Sequence, residues 1–509
     1  MVATGTKTYQ NYIGGVWTDA RGGEMLENRN PANPSDVIGL FPRSTAEDVA
    51  AAVQAAQAAQ PAWAALSPLK RGEILLRAAA LLEARADEVA ADMTHEEGKT
   101  LREARGETLR GVAILRYFAG EGAQALGEVY PSAHPATMLY TVHVPLGVVA
   151  IITPWNFPVA IPLWKIAPAL IYGNAVIVKP AELTPLTATK LVQILAEAGL
   201  PGGVLNLVVG SGSKIGPALT EAAGVTAISF TGSNEVGRGI QSAATRRGAK
   251  VQLELGGKNP VVVLDDADLD QAATLTVSGA MLSAGQKCTA TSRAIVQRSV
   301  LDSFTQKVLE RVSSLVVGDP MRDETTVGPL VSAAQRDSVL TYMQIGRDEG
   351  AELLLGGGPL DGPEYRAGYF VQPTVFANVR PDMRIAQEEI FGPVLGIIAA
   401  DGYEEALAIA NGVRYGLSAS LFTRDIAKSF HFVRDAEAGV IHINGETAGA
   451  EPQVPFGGMK ESSSFSREQG KAAAQFFTQT KTVYFEPPQT PAPSPSSPQA
   501  QKAAGQMSA

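Results

Sequence analysis

The chain has 509 residues, 45% of them hydrophobic and 18% charged, with a formal net charge of −9 at pH 7. That length supplies core for two or three domains. The acidic balance argues against a nucleic-acid surface, which needs a basic face, and gives an anionic membrane nothing to attract.

The N-terminal MVATGTKTYQ is polar and lacks the apolar stretch of a secretion signal, so the cytoplasm is the expected compartment. Gly14-Gly15 and Asn33-Pro34 punctuate short β-rich runs between residues 12 and 40. Residues 44–59 read as a helix, with Thr45 and Asp48 spaced as a capping box. Leu75, Leu76, Ala79, Leu82 and Val89 recur at helical spacing and predict a helical stretch over 68–98, with a further helix over 100–122. Proline, histidine and β-branched residues over 129–144 predict a pair of extended strands leaving the domain. The stretch 144–178 is apolar apart from Lys165, but Pro145, Pro154, Pro158, Pro162 and Pro168 argue against a membrane helix. It reads better as a buried strand at 147–153, a loop, a buried helix, and a second strand at 175–179.

Apolar runs at 148–152, 175–178, 205–209, 227–230 and 251–253 alternate with helical patterns. This is the signature of a parallel sheet with crossover helices. A second α/β alternation follows, with strands at 261–264, 294–297, 353–355, 394–398, 416–423 and 440–444 and a helix at 300–315. Residues 480–485 form a last β-rich run. Beyond Glu486 the Pro/Ser/Ala/Gln-rich composition predicts disorder.

Cys288 is the only cysteine, so no disulfide can form within one chain. A lone cysteine is more often a small buried hydrophobe than a nucleophile. Its surroundings reverse that expectation. Gly285 lets the backbone turn just before it, and flanking Lys287 and Arg293 would favour the reactive thiolate. Two other stretches supply what a thiol attacking a carbonyl needs. Pro154-Trp-Asn-Phe-Pro158 fixes the Asn156 amide between two prolines, and Glu254-Leu-Gly-Gly-Lys-Asn-Pro260 sets a carboxylate beside a glycine pair.

PWNFP, KPAE (Lys179 to Glu182), FTGS (Phe230 to Ser233), ELGGKNP, GQKC and EEIFGPV (Glu388 to Val394) occur in the order seen in the aldehyde dehydrogenase superfamily. The chain resembles that superfamily from about Tyr12 to Phe485. The resemblance implies an α/β fold. It would comprise a Rossmann-like cofactor domain (1–128 and 147–256), an α/β catalytic domain (257–477) and a small β oligomerisation extension (129–146 and 478–486), with a disordered tail at 487–509. It also implies a homodimer or homotetramer, in which the extension joins a neighbouring subunit's sheet.

Aldehyde oxidation through a thiol needs a nucleophile, donors for the alkoxide, a hydride acceptor and a base for hydrolysis. By resemblance Cys288 is the nucleophile, and its own N–H and the Asn156 amide form the oxyanion site. Glu254 is the general base for deacylation. Relatives that pass the acyl group to coenzyme A lack this glutamate, so a free acid is the expected product. Lys165 sits in an apolar helix, where it relays protons, touches the cofactor, or snorkels to the surface.

Gly232-Ser-Asn-Glu-Val-Gly237 follows a strand ending at Phe230 and opens a helix, a junction that offers N–H groups to a pyrophosphate. Gly232, Ser233 and Gly237 are therefore cofactor candidates, although the run is not a GxGxxG fingerprint. Gly212 and Gly216, after another strand, lie near the cofactor or are packing glycines. By resemblance Ile152, Thr153, Pro154, Trp155, Phe230 and Leu255 line its path. Lys179 and Glu182 reach the adenine ribose. That carboxylate favours NAD, while Lys179 leaves NADP open. Glu389 and Phe391 resemble the pair that holds the nicotinamide ribose, and Glu388 reads as solvated. No histidine falls in a metal-binding motif, and no metal is expected.

The aldehyde pocket is expected around Phe157, Trp164, Phe456 and Arg293. In the succinic-semialdehyde branch arginines grip the substrate carboxylate, and two positions where they would fall hold Trp164 and Leu282 here. IPLWKIAPAL (Ile161 to Leu170) and QKCTATSR (Gln286 to Arg293) resemble bacterial α-ketoglutaric semialdehyde dehydrogenases, as does one extra residue over 460–467. The chain departs from that branch at Phe465-Ser466, where a Gly-Pro-like turn is expected. The expected reaction is oxidation of α-ketoglutaric semialdehyde to 2-oxoglutarate through a thiohemiacetal and a thioester. The alternatives are a broad-range aliphatic or aromatic aldehyde dehydrogenase, or one acting on succinic semialdehyde. From other classes they are a non-catalytic structural relative and a thiol hydrolase needing no cofactor.

Overall fold

The structure, a computed structural model, describes residues 6–124 and 126–488. Within these, one unit comprises residues 6–124 and 145–478, and a second comprises 126–144 and 479–488. The expected tail lies, from residue 489 on, outside the described residues.

The first unit holds two seven-stranded sheets. One runs in the order Lys250–Glu254, Ala227–Thr231, Val148–Ile152, Ala175–Lys179, Leu205–Leu207, Asn11–Ile13, Val16–Thr18. Its first five strands are parallel, and the last two form an antiparallel edge. The three central strands are buried at every residue, as a sheet covered on both faces requires. The parallel register decides where the motifs meet. Ile152 pairs with Lys179 and with Phe230, and Thr231 pairs with Glu254. Four separate sequence motifs therefore emerge along one carboxyl edge, where open α/β sheets bind ligands.

The second sheet runs Glu352–Leu355, Thr374–Ala377, Val394–Ala400, Thr291–Gln297, Asn259–Val263, Ser418–Phe422, Val440–Ile443. Only the Leu255–Lys258 link separates the carboxyl end of Lys250–Glu254 from the amino end of Asn259–Val263. That short link brings the carboxyl edge of the first sheet to the amino edge of the second. Cys288, Glu389 and Phe391 all lie just before strands of the second sheet.

Several helices match their sequence signals. Thr45 N–H donates to Asp48 Oδ2 at 2.8 Å, and Thr100 N–H to Glu103 Oε2 at 2.9 Å, so capping boxes open Ala46–Ala65 and Leu101–Glu121. The helical stretch over 68–98 is two helices, Pro68–Ala84 and Ala86–Glu97, broken at Arg85. Ala333–Asp348 escaped the periodicity reading because it buries only Val339, Met343 and Gly346. Ala160–Ile171 is buried at every residue. No helix among the described residues is long and apolar enough to cross a membrane.

The second unit is a three-stranded sheet in the order Thr478–Phe485, Met138–Pro145, Val129–Tyr130. Val129, Tyr130, Met138, Tyr484 and Phe485 are exposed on it.

Candidate active site

Cys288 is delivered by a strained turn. Ser283, Ala284 and Gly285 have φ of 55°, 51° and 69°, a left-handed run that residues with a Cβ rarely adopt. A Cβ on Gly285 would lie 2.2 Å from the Gly392 carbonyl oxygen, so only glycine fits. Glu103 Oε1 anchors the turn by accepting from Ser283 N–H at 2.7 Å. The Cys288 carbonyl accepts from Asn259 Nδ2 at 2.9 Å, which ties the thiol's main chain to the second sheet.

Asn156 is buried, and its Nδ2 donates to the Gln286 carbonyl at 2.9 Å. An amide carries two N–H donors, so one is left. A buried ion pair that the motifs did not signal sets the loop. Lys99 Nζ donates to the Asn156 carbonyl at 2.6 Å and to Glu107 Oε2 at 2.6 Å. Glu107 Oε1 accepts from Val159 N–H at 2.8 Å and Ala160 N–H at 3.0 Å. Lys99 and Glu107 flank a helix start and read as ordinary helix-end charges; only their burial marks them out.

Glu254 ends its strand, 2% exposed, facing an added chain segment. Ser464 N–H donates to the Leu253 carbonyl at 2.9 Å, Leu255 N–H to the Ser462 carbonyl at 2.8 Å, and Ser463 Oγ to Glu254 Oε2 at 2.6 Å. Burial and Glu468 push the Glu254 carboxyl well above the usual range, against the pull of Ser463, Lys165 and Arg467. Glu254 is thus a buried carboxylate and not a solvent-facing strand end. Lys165 does not snorkel either: it is 0% exposed and pairs with buried Glu468. Its Nζ also donates to Ser229 Oγ at 2.9 Å. Glu468 lies in an unremarkable SREQG stretch and carried no sequence signal.

The thiol's electrostatics reverse the expectation from its flanks. Burial, Glu389 and Glu254 push the Cys288 thiol up to about 12. Lys287 Nζ turns to the Ser278 carbonyl at 3.3 Å. The Arg293 guanidinium is occupied by the carbonyls of Lys258, Ile409 and Ala410 at 2.8–3.1 Å. Arg293 is therefore a buried strut of the second sheet, unavailable to substrate as well as to the thiol.

Cys288 lies on the wall of two cavities. One, of about 250 Å³, is lined by Pro154, Trp155, Asn156, Thr231, Gly232, Ser233, Leu255, Gly256, Glu389 and Phe391. Trp155 meets Phe391 edge-on with ring centroids 5.4 Å apart. Glu389 Oε1 accepts from Gly257 N–H at 3.1 Å, and burial pushes its carboxyl up to about 7. Thr231 Oγ1 is buried there without a partner among the described residues. A Cβ on Gly256 would lie 2.2 Å from Glu389 Oε2, so the glycine keeps this space open. Ser233 caps the helix Asn234–Arg246, whose amino end lies beside the cavity. These features fit a ring and a phosphate chain. Phe230 supports the floor instead of lining it: its ring would meet a Cβ on Gly232 at 2.5 Å. Gly237 is closed from the cavity by Leu255, 2.6 Å from its Cβ position. Lys179 is buried at the same sheet edge, lowered to about 8 by burial, with Nζ donating to the Pro180 carbonyl at 2.7 Å. Gly212 opens a helix, and a Cβ on it would lie 3.8 Å from the Lys179 side chain. Glu182 is half-buried beyond it. Nothing lies within 4 Å of a Cβ on Gly216, so packing does not explain that glycine. Glu388 turns away to Arg384 and to Tyr342, as its solvated reading expects.

The second cavity, of about 300 Å³, is a funnel lined by Phe157, Trp164, Leu282, Lys287, Thr289 and Phe456, with one face of the Leu101–Glu121 helix. Trp164 and Phe456 pack with ring centroids 5.5 Å apart, and Lys99 Nζ lies 4.2 Å from the Phe157 ring centre. A thiol that opens to a funnel with an aromatic wall on one side and to a glycine-floored cleft on the other can pass an electron pair between two bound molecules.

Comparison with known proteins identifies similar chains. The chain is 52% identical over 486 residues to alpha-ketoglutaric semialdehyde dehydrogenase of Bacillus subtilis (strain 168), covering 96% of this chain and 100% of that one. It is 47% identical to alpha-ketoglutarate semialdehyde dehydrogenase of Haloferax volcanii, covering 94% and 99%. The crystal structure of betaine aldehyde dehydrogenase from Staphylococcus aureus in complex with NAD+ superposes with a TM-score of 0.92 at 34% identity, covering 95% of each chain. The model of the Aldehyde dehydrogenase family matches residues 17–483, and the chain belongs to that family.

Proposed function

We propose that this chain oxidises 2,5-dioxopentanoate (α-ketoglutaric semialdehyde) to 2-oxoglutarate, with NAD as cofactor and NADP as the second choice. The observation that supports the reaction is the position of Cys288 on the shared wall of two cavities. The substrate rests on the likeness to the relatives of that name.

In this reading the thiol enters from the funnel side. Its raised pKa means that the resting sulfur is protonated, so its proton passes to Glu254, and from there to solvent, as the S–C bond forms. The alkoxide is received by the spare Asn156 N–H and the Cys288 N–H. The dinucleotide, when bound beside Trp155 and Phe391, supplies the hydride acceptor. Glu254 then takes a proton from the water that attacks the thioester, and the acid leaves as the thiol is regenerated. The Lys165–Glu468 pair lies behind Glu254 and offers that proton a way out. Lys99 and Glu107 act through the loop they hold, as positioning residues.

The second unit, with its exposed apolar side chains, supports assembly as a homodimer or homotetramer, which light scattering reads directly. The proposed compartment is the cytoplasm. The test of the reaction is NADH absorbance on a panel of 2,5-dioxopentanoate, succinic semialdehyde, hexanal and benzaldehyde, each with NAD and NADP. The highest kcat/KM is expected for 2,5-dioxopentanoate with NAD, and better turnover of hexanal would overturn the substrate assignment. Cleavage of an ester such as p-nitrophenyl acetate without a dinucleotide, with no oxidation of any of these aldehydes, would mean a hydrolase.

A further inference from the structure

The funnel contains a cation, Arg110, that no described residue engages. Glu103, Gly106, Glu107 and Arg110 are spaced along one face of the Leu101–Glu121 helix, and all four line the funnel. Both of these carboxylates are already occupied, and Glu446, the third carboxylate on the funnel wall, acts on Lys287. Glu103 accepts from the main-chain N–H groups of Thr100 and Ser283 at 2.9 and 2.7 Å, and Glu107 holds Lys99 and the Asn156 loop. Arg110, half-buried, makes no ion pair or hydrogen bond with any described residue. Lys287, the other cation on this wall, is held by the Ser278 carbonyl. A second observation points the same way. Trp164 is 5% exposed and lines the funnel, yet its indole Nε1 has no acceptor among the described residues. A buried polar donor is ordinarily paired, so an unpaired one beside a cavity marks where an acceptor belongs.

We infer that Arg110 is a specificity residue that receives the carboxylate of an oxo-acid aldehyde, with Trp164 Nε1 as the second donor to the same end of the substrate. The inference rests on the proposed aldehyde-oxidising role of the funnel and deepens it. A guanidinium is always charged, and its planar fork matches a carboxylate. The chain's net charge of −9 gives an anionic substrate no long-range attraction, so a cation in the funnel supplies the complementary charge locally. An uncharged aldehyde leaves that fork and the indole N–H without partners. A site built to hydrogen-bond its substrate discriminates against analogues lacking the acceptor.

The test uses the full chain with saturating NAD and the variants Arg110→Gln, Arg110→Lys and Trp164→Phe. The readout is the ratio of kcat/KM for 2,5-dioxopentanoate to that for hexanal. In Arg110→Gln the ratio is expected to fall at least tenfold, through KM for the oxo acid more than through kcat. Arg110→Lys should fall between Gln and wild type, and Trp164→Phe should lower the ratio by a smaller factor. A ratio within twofold of wild type in Arg110→Gln would overturn the inference while leaving the substrate assignment in place. If the wild type does not oxidise 2,5-dioxopentanoate, the assignment fails by itself, and the same ratio is read with succinic and glutaric semialdehydes. A fall there upholds Arg110, and no fall removes it. Should Arg110→Gln not fold, by circular dichroism, the Lys variant decides: an unchanged ratio and unchanged KM for the oxo acid count against the inference.

Discussion

Ser463 Oγ donates to Glu254 Oε2 at 2.6 Å, while Oε1 of the same carboxylate has no partner among the described residues. One oxygen is held and the other is left to meet a water. The hydroxyl favours the charged form of a group that burial and Glu468 push toward the neutral one. Ser463→Ala removes that support, so the fraction of Glu254 present as base at a given pH falls. The acid limb of the kcat profile should move to higher pH. Turnover at pH 7 should drop about tenfold, the low end of what a hydrogen bond to a charged group is worth. NADH release measured across pH 5.5 to about 9.5 reads both. An acid limb that does not move would remove Ser463 from the base.

The thiol makes a second, opposite-looking demand. Cys288 is pushed up to about 12 by burial and by Glu389 and Glu254, so its thiolate fraction in the free enzyme grows roughly tenfold per pH unit through the alkaline range. The rate of alkylation by iodoacetamide, followed by intact mass, should climb without a plateau below about pH 10. A plateau near pH 7 would show that the flanking basic residues govern the thiol after all.

Lys165 and Glu468 are both buried, at 0% and 2% exposure, and are each other's partners. Lys165→Met leaves Glu468 as an uncompensated buried carboxylate, a loss on the order of 3–5 kcal/mol. The thermal midpoint should fall clearly in that variant and recover in part in Lys165→Met/Glu468→Gln, where neither charge remains. Equal midpoints in the single and double variants would mean that the pair contributes nothing to folding.

Gly256 stands where a Cβ would lie 2.2 Å from Glu389 Oε2. Gly256→Ala must displace that carboxylate into the cavity beside Phe391. The Kd for NAD should rise about tenfold or more, the effect of roughly 1.4 kcal/mol on binding. Titration of tryptophan fluorescence with NAD measures it, and an unchanged affinity would place the nicotinamide end elsewhere.

Much of this architecture was legible before any coordinates. Short apolar runs with helical patterns between them carry their own period, so the two parallel sheets and their order along the chain could be read locally. Cys288, Asn156 and Glu254 stood out because each sits in a glycine- or proline-bounded motif whose backbone constraint is visible in the letters. Arg293 misled for the same local reason. A basic residue five positions from a thiol looks like a partner, but a strand carries its side chain away, to three main-chain carbonyls.

What the amino-acid order determined by itself was the set of elements, the turn chemistry around the thiol and the kinds of group available. Those depend on neighbours a few residues apart, and the chain states them directly. Only the tertiary structure decided which groups face one another. Parallel pairing set Ile152, Lys179, Phe230 and Glu254 on one edge, and long-range burial joined Lys99 to Glu107 and Lys165 to Glu468. Apart from Lys165, which stands alone in an apolar helix, those buried charges look like ordinary surface residues in the sequence. Their cost and their use arise only when water is removed, and water is removed by parts of the chain up to 303 residues away.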